Sequence, residues 1–269
     1  MDRLERGTAL VIERPKYLEY RHQRDRIASF EVTRSIEIKV ERPAAALLRL
    51  VGKKTSAKSD SYLEEWSIEC RTTDVMPDRS ALVKTQVTKA IRTNSAGEPI
   101  AFGDRENPTT EFLNEVVDLY GALSGHQGSL PSPHLVVFPD EPVKQGQEWQ
   151  RTRHELLPIS GPDGNIKAYA AHPVTYSARL DAFGADNGVE YADISFSGLG
   201  QFGDPEAIHQ TYTSTGRVRF AIRDGHTLTA EVVRSMATAL GATVLTRAVT
   251  EHYSFGSRGT EQTVGGMRM

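Results

Sequence analysis

Cysteine is nearly missing from this sequence: Cys70 is the single thiol in 269 residues. An intramolecular disulfide and a cysteine-based metal cluster are both excluded. Long apolar runs are missing too. The longest, Ala44 to Val51, is interrupted by Arg49, whereas a membrane-spanning helix needs about 20 apolar residues. Near the N-terminus only Ala9-Leu10-Val11-Ile12 forms an apolar block, short of the ~7–15 residues of a signal-peptide core. Neither sign of charge dominates: 32 Lys and Arg stand against 35 Asp and Glu, net −3. That balance excludes a basic nucleic-acid coat and a disordered acidic chain. The chain reads as soluble and cytoplasmic, with no transmembrane segment. An exported mature form, its signal peptide removed, is the alternative.

Motifs that carry chemistry are equally scarce. Eight histidines, at 22, 126, 134, 154, 172, 209, 226 and 252, form no H-x-H or H-E-x-x-H spacing, so no metal site is expected. The acidic stretch Asp181, Asp186, Asn187, Gly188, Glu190 lacks the order of a calcium loop and reads as a solvated turn. Gly198-Leu-Gly200-Gln-Phe-Gly203 matches G-x-G-x-x-G, but Asp204-Pro205-Glu206-Ala207 allows no helix after it to hold a pyrophosphate. It reads as a glycine-rich strand and turn. Ser124 and Ser257 lie near glycines without forming G-x-S-x-G. Cys70 falls on the apolar side of a strand and reads as a buried structural thiol. Basic residues at Arg21, Arg24, Arg26 and at Lys53, Lys54, Lys58 are interleaved with acids, which disfavours nucleic acid. No catalytic residue and no cofactor are expected.

What is present is alternation with period 2. From Phe30 to Glu41 the even positions are apolar except Arg34, and the odd positions are polar. Successive strand side chains point to opposite faces, so this stretch makes a sheet with one dry and one wet face. Ile27 to Glu41 would span roughly 50 Å at ~3.3 Å per residue, which suits a large open antiparallel sheet. Arg34 on the dry face either snorkels at the rim, meets a buried carboxylate, or meets a ligand headgroup. The pattern recurs around Trp66–Cys70, Val83–Val87, Val174–Ala178 and Val218–Ile222, and at Leu245, Val249, Tyr253 and Phe255. Turn chemistry at Pro77-Asp78, Asn94 to Gly97, Asp186-Asn187-Gly188 and Asp224-Gly225 links the runs as a meander.

One helix is expected over 107–123. Asn107 can cap it, Pro108 fits its first position, and Phe112, Val116, Tyr120 and Leu123 recur at helical spacing. A shorter helix over Pro43 to Val51, stopped by Gly52, competes with a strand there. Its apolar residues Leu47, Leu48, Leu50 and Val51 pack on the sheet or dock to a partner or bilayer. The proline- and glycine-rich stretch 125–146 reads as an ordered loop crossing the sheet rather than a linker. Residues 1–255 then form one domain, with any weak division near 125–146, and 256–269 form a flexible tail.

Two passages carry a resemblance. Val136-Val-Phe138-Pro139-Asp-Glu-Pro-Val143-Lys144-Gln-Gly146-Gln-Glu-Trp149 resembles the F-P…V-K-x-G-x-x-W passage of bacterial lipoprotein-like proteins with a LolA/LppX-type half-barrel. Val218-Arg-Phe220-Ala-Ile-Arg-Asp224-Gly225 resembles their F-D-x-x-x-G hairpin, with Ala221 where Asp is common. The resemblance implies a curved antiparallel sheet wrapped over a helix, with lipid in the concavity of some members. It carries over no catalytic residue.

The fold expected is mainly β: a curved antiparallel sheet or half-barrel of about eight to eleven strands, with one helix on its concave side. The function expected first is a non-catalytic binding or scaffolding subunit of a homo- or hetero-oligomer, because an open sheet leaves edges that need a partner. A carrier of a lipid or other apolar ligand is second, with a cavity reached past Phe112, Val116 and Tyr120. An enzyme whose site assembles only in space is third.

Overall fold

The computed structural model describes residues 14–41, 58–102, 108–110, 112–121, 123–124, 132–160, 166–203, 208–240 and 243–255. Strands β1 (Ile27–Glu41), β2 (Lys58–Val75) and β3 (Ala81–Asn94) form the first meander, extended by the short β4 (Phe112–Val117) and β5 (Leu123–Ser124). Strands β6 (Glu148–Ser160), β7 (Ile166–Asp186), β8 (Val189–Gly203), β9 (Ile208–Ala221), β10 (His226–Leu240) and β11 (Thr243–Phe255) form the second. They join one sheet in the order β5-β4-β3-β2-β1-β11-β10-β9-β8-β7-β6. Neighbours are antiparallel throughout. The first and last long strands therefore meet in the middle, and β5 and β6 lie at the two edges.

Alternation explains which face is dry. On β1, Phe30, Val32, Arg34 and Ile36 are buried and the residues between them exposed or half-exposed. Matching sets on the other strands complete one contiguous core. The sheet curls, so that Glu155 on β6 comes within electrostatic reach of Arg234 on β10, four strands away. The turn between β7 and β8 is built by Asn187 (φ 50°) and Gly188 (φ 81°), the two successive positive φ values of a tight hairpin.

The helix expected over 107–123 is absent. Pro108–Thr110 make one turn of 3₁₀ helix, and Phe112–Val117 pair with Ala81–Gln86 of β3. Residues i and i+4 share a face in a strand as well as in a helix, so Phe112 and Val116 fit both readings. The aromatic and β-branched residues favour the strand once β3 offers a partner. The alternating core series of β4 contains the charged Glu115, beside Val117, both fully buried. That carboxylate hid the period-2 pattern. The segments 42–57, with Leu47, Leu48, Leu50 and Val51, and 256–269 lie outside the described residues.

Two irregular segments occupy the concave face where a helix was expected. Residues 16–22 place Leu18 and Tyr20 in the core. The connection from β5 to β6 lays Leu135, Val136, Phe138 and Val143 beside them. Each buried side chain of this kind contributes about 1.5–3 kcal/mol, which offsets the ~1–2 kcal/mol per residue of ordering a segment without a ladder. Successive carbonyls of this strap are satisfied by side chains instead of a strand. Thr227 Oγ1 donates to Pro133 O (2.8 Å), Arg153 to His134 O and Leu135 O (2.9 and 3.3 Å), Tyr20 to Val136 O (3.2 Å) and Trp149 Nε1 to Val137 O (2.8 Å). The passage that carries the lipoprotein resemblance is therefore a clip: Phe138 and Trp149 anchor it, Val143 bridges to Lys16, and Gly146 turns the chain at φ 80°.

Candidate functional site

Register places a stripe of charge across the dry face. Arg92 on β3 lies opposite Glu64 on β2, Glu64 opposite Arg34 on β1, and Arg34 opposite Glu251 on β11. Glu64 accepts from Arg92 Nε and NH2 (2.9 and 2.7 Å) and from Arg34 NH1 (3.1 Å). Glu251 accepts from Arg34 Nε (3.0 Å), Tyr253 Oη (2.9 Å) and Arg234. Arg34 also stacks on the Trp66 ring. Glu64 and Glu251 are 1% and 2% exposed, so both carboxylates depend on these partners.

The stripe continues on the other limb of the curl. Arg234 lies opposite Ser214, Ser214 opposite Gly198, and Gly198 opposite Tyr176. A Cβ at Gly198 would sit 2.6 Å from the Tyr176 ring, so this glycine makes room for the tyrosine. Glu155 accepts from Tyr176 Oη and Arg153 Nε, each at 2.5 Å. Burial alone would raise the Glu155 carboxyl; Arg153, Arg234 and the Tyr176 hydroxyl together hold it below the usual carboxylate range. Burial pushes the Tyr176 and Tyr253 hydroxyls up. Glu155, Tyr176 and Tyr253 stay in one charge state near neutrality, which suits a fixed framework.

A pocket opens at the turn end of the same face, where β10 begins. It encloses about 50 Å³. Three histidines line it: His22 from the N-terminal segment, His134 from the strap and His226 from β10. The His22 and His134 ring centroids are 5.9 Å apart. Behind His134, Glu115 Oε2 lies 3.3 Å from Nδ1 and accepts from Ser132 Oγ at 3.1 Å. Ser132 Oγ also sits 3.3 Å from His134 Nδ1. A serine nucleophile needs the ring nitrogen opposite the one oriented by the carboxylate. Here both contacts fall on Nδ1, so the trio is not a hydrolytic triad. Burial, then His134 and Arg26, hold His22 down at about 4, and burial and Arg26 lower His226. Cys70, also on the pocket wall, is pushed up to about 12 by burial, leaving its thiol protonated and inert.

The residues singled out from the sequence do not converge. Val116 sits partly exposed on β4, on the face opposite Glu115 and Val117. Tyr120 is half-buried in the turn after β4 and packs on the core. The side chain of Phe112 lies outside the described residues. Gly198, Gly200 and Gly203 lie within β8. Of the three readings of Arg34, the buried carboxylate is the one present, twice over. Glu64 precedes the apolar series Trp66, Ile68, Cys70 by two residues and Glu251 falls between Val249 and Tyr253, so alternation alone places both on the dry face.

No protein-family model matches this chain, and no curated protein is significantly similar to it. Among the described residues, no group of three or more His, Cys, Asp and Glu is arranged to hold a metal ion. Among those residues, also, no helix is long and apolar enough to cross a membrane.

Proposed function

We propose that this protein is a non-catalytic binding or scaffolding subunit that joins a protein partner through the open edge of its sheet. The observation that carries this reading is β6, a 13-residue strand at the end of the strand order. Among the described residues its outer side pairs with no strand. Such an edge is a template for strand addition by another chain. At the opposite edge the outermost strand is two residues long, so the sheet offers one long edge and one blunted one. The ionisable groups of the concave face support the same reading, since those with resolved shifts are held away from neutrality in one charge state. A carrier of acyl chains is less well supported, because Leu18, Tyr20, Leu135 and Phe138 fill the space beneath this part of the sheet.

The test is native mass spectrometry on gently purified protein, combined with amide exchange. A discrete assembly whose β6 amides, residues 148–160, are protected relative to the dissociated chain is the expected result. A monomer whose β6 amides exchange freely, or an assembly that leaves β6 unprotected, overturns the edge-docking reading. Extra mass of a few hundred daltons, extractable into organic solvent, would replace it with the carrier.

A further inference from the structure

We infer that the pocket between His22, His134 and His226 binds a small tetrahedral oxyanion of the phosphate type, with Arg26 as its charged anchor. The inference is independent of the edge strand and rests on this cavity alone. The space of about 50 Å³ is open to several water-sized centres, since one water needs only about 10–15 Å³ on this measure, so it has room for a small polyatomic anion. Its unpaired polar atoms are of the right kind. His22 Nε2 and both ring nitrogens of His226 are buried without a hydrogen-bond partner. Every neutral imidazole carries one N–H donor, and a protonated ring carries two. Buried polar atoms are nearly always satisfied in folded proteins, so orphans clustered on one cavity call for an occupant.

Charge selects the occupant. Arg21 and Arg26 line the same cavity, and among the described residues neither has a carboxylate within salt-bridge distance. Arg26 NH1 reaches only the backbone carbonyl of Asp224, at 3.5 Å, which leaves the rest of its guanidinium fork free. A metal cation would meet two guanidinium groups, whereas an oxyanion gains charge-assisted hydrogen bonds from Arg26 and from the histidines. Other polar groups around the cavity are committed: Thr227 and Tyr20 donate to the strap. Glu115 lies behind His134, outside the lining; its Oε2 is turned to Ser132 and His134, and its Oε1 is buried without a partner.

Occupancy depends on pH. His22 is held neutral by burial, His134 and Arg26, and His226 by burial and Arg26. An anion bound at Arg26 cancels that repulsion, so the rings take up protons as it binds. His134, with Glu115 behind it, sits against His22; Tyr20 and Cys70 stay protonated on the wall. Asp224 in the adjoining turn is exposed. Binding therefore tightens as the pH falls.

The test is histidine-ring NMR on the full chain titrated with inorganic phosphate, with sodium chloride at matched ionic strength as the control. The expected result is a saturable one-to-one shift of the His22 and His226 rings, absent with chloride. Affinity should be at least about threefold tighter near pH 5 than near pH 6, a range in which the phosphate stays a monoanion while the rings take up protons on binding. Arg26→Gln should weaken binding at least about tenfold, as loss of a charge-assisted pair does. A parallel titration with methyl phosphate separates the sources: equal binding points to a phosphate ester, and loss of binding to the free ion. No saturable shift by about 10 mM phosphate, a limit weaker than a millimolar site, would overturn the proposal. So would equal shifts with chloride, or an unchanged affinity in Arg26→Gln. The wild-type pH comparison decides the matter if that variant does not fold.

Discussion

Replacing Glu251 by glutamine should unbalance the whole charge stripe. Glu251 is 2% exposed and accepts from Arg34, Arg234 and Tyr253. The variant keeps the shape but removes the charge, leaving Arg234 with Glu155 as its remaining acidic neighbour among the described residues. Arg34 retains Glu64, at 3.1 Å, so the two arginines are not equally stranded. Breaking one member of a buried pair costs about 3–5 kcal/mol, mostly as the penalty of the uncompensated charge. With an m-value of roughly 3 kcal/mol/M, that is a drop of about 1–2 M in the urea midpoint. The assay is equilibrium urea unfolding followed by tryptophan fluorescence, with Glu231→Gln as the comparison. Glu231 lies on the exposed face of the neighbouring strand, where substitutions stay within about 0.5 kcal/mol. A cost for Glu251→Gln below about 1 kcal/mol, the range of surface ion pairs, would refute the reasoning. It would mean that water reaches the stripe and screens it.

Three further outcomes follow from the same geometry. In phosphate-free buffer, stability should fall as the pH drops from about 6.5 towards 4. The His22 ring takes a proton in the unfolded chain near 6.5 and in the folded protein only at about 4. Its contribution is complete above the unfolded value and lost through that window. The loss is at most about 3 kcal/mol, less for the part of the ring that water reaches, and His22→Gln should flatten the profile. Gly216→Ala should lower the melting temperature by roughly 5–10 °C, because its Cβ would lie 2.6 Å from the backbone oxygen of Glu231, which cannot move aside; an unchanged melting temperature would show that the strands have slack there. Cys70 should resist a thiol reagent in the folded state and react at once in urea, since the thiol is buried and pushed up to about 12; fast labelling without denaturant would contradict its burial.

The long strands were legible in the sequence because alternation is a backbone property that survives any tertiary context. β1 was legible residue by residue, from Ile27 to Glu41, with Arg34 as its anomaly. The hairpin turns were legible because Asn187 and Gly188 occupy positions that demand positive φ. Strand β4 was not, because its buried series contains Glu115, and a carboxylate in an apolar row removes the cue that separates period 2 from 3.6. The same difficulty hid Glu64 and Glu251. A charged residue on a dry face reads as an interruption until its partners are known, and those of Arg34 lie 30 and 217 residues along the chain. The histidine pocket was invisible for a related reason. Its three rings come from an N-terminal segment, a strap and a strand, and no local spacing relates them.

The central pairing of β1 with β11 has a consequence for how the protein is made. As the chain leaves the ribosome, β1 has β2 on one side and nothing on the other until the last strand emerges. Long non-local pairings of this kind close slowly, and an unpaired strand of 15 residues invites association with other nascent chains. Arg34 sits in the middle of that waiting edge with its side chain turned inward, and Glu251 sits at the matching place on the strand that will cover it. A foreign apolar strand added there would leave Arg34 with Glu64 alone and its buried Nε without the acceptor that Glu251 supplies. Only the strand that brings the carboxylate fits, so the seam that closes last is also the one that discriminates most sharply between its own partner and a stranger.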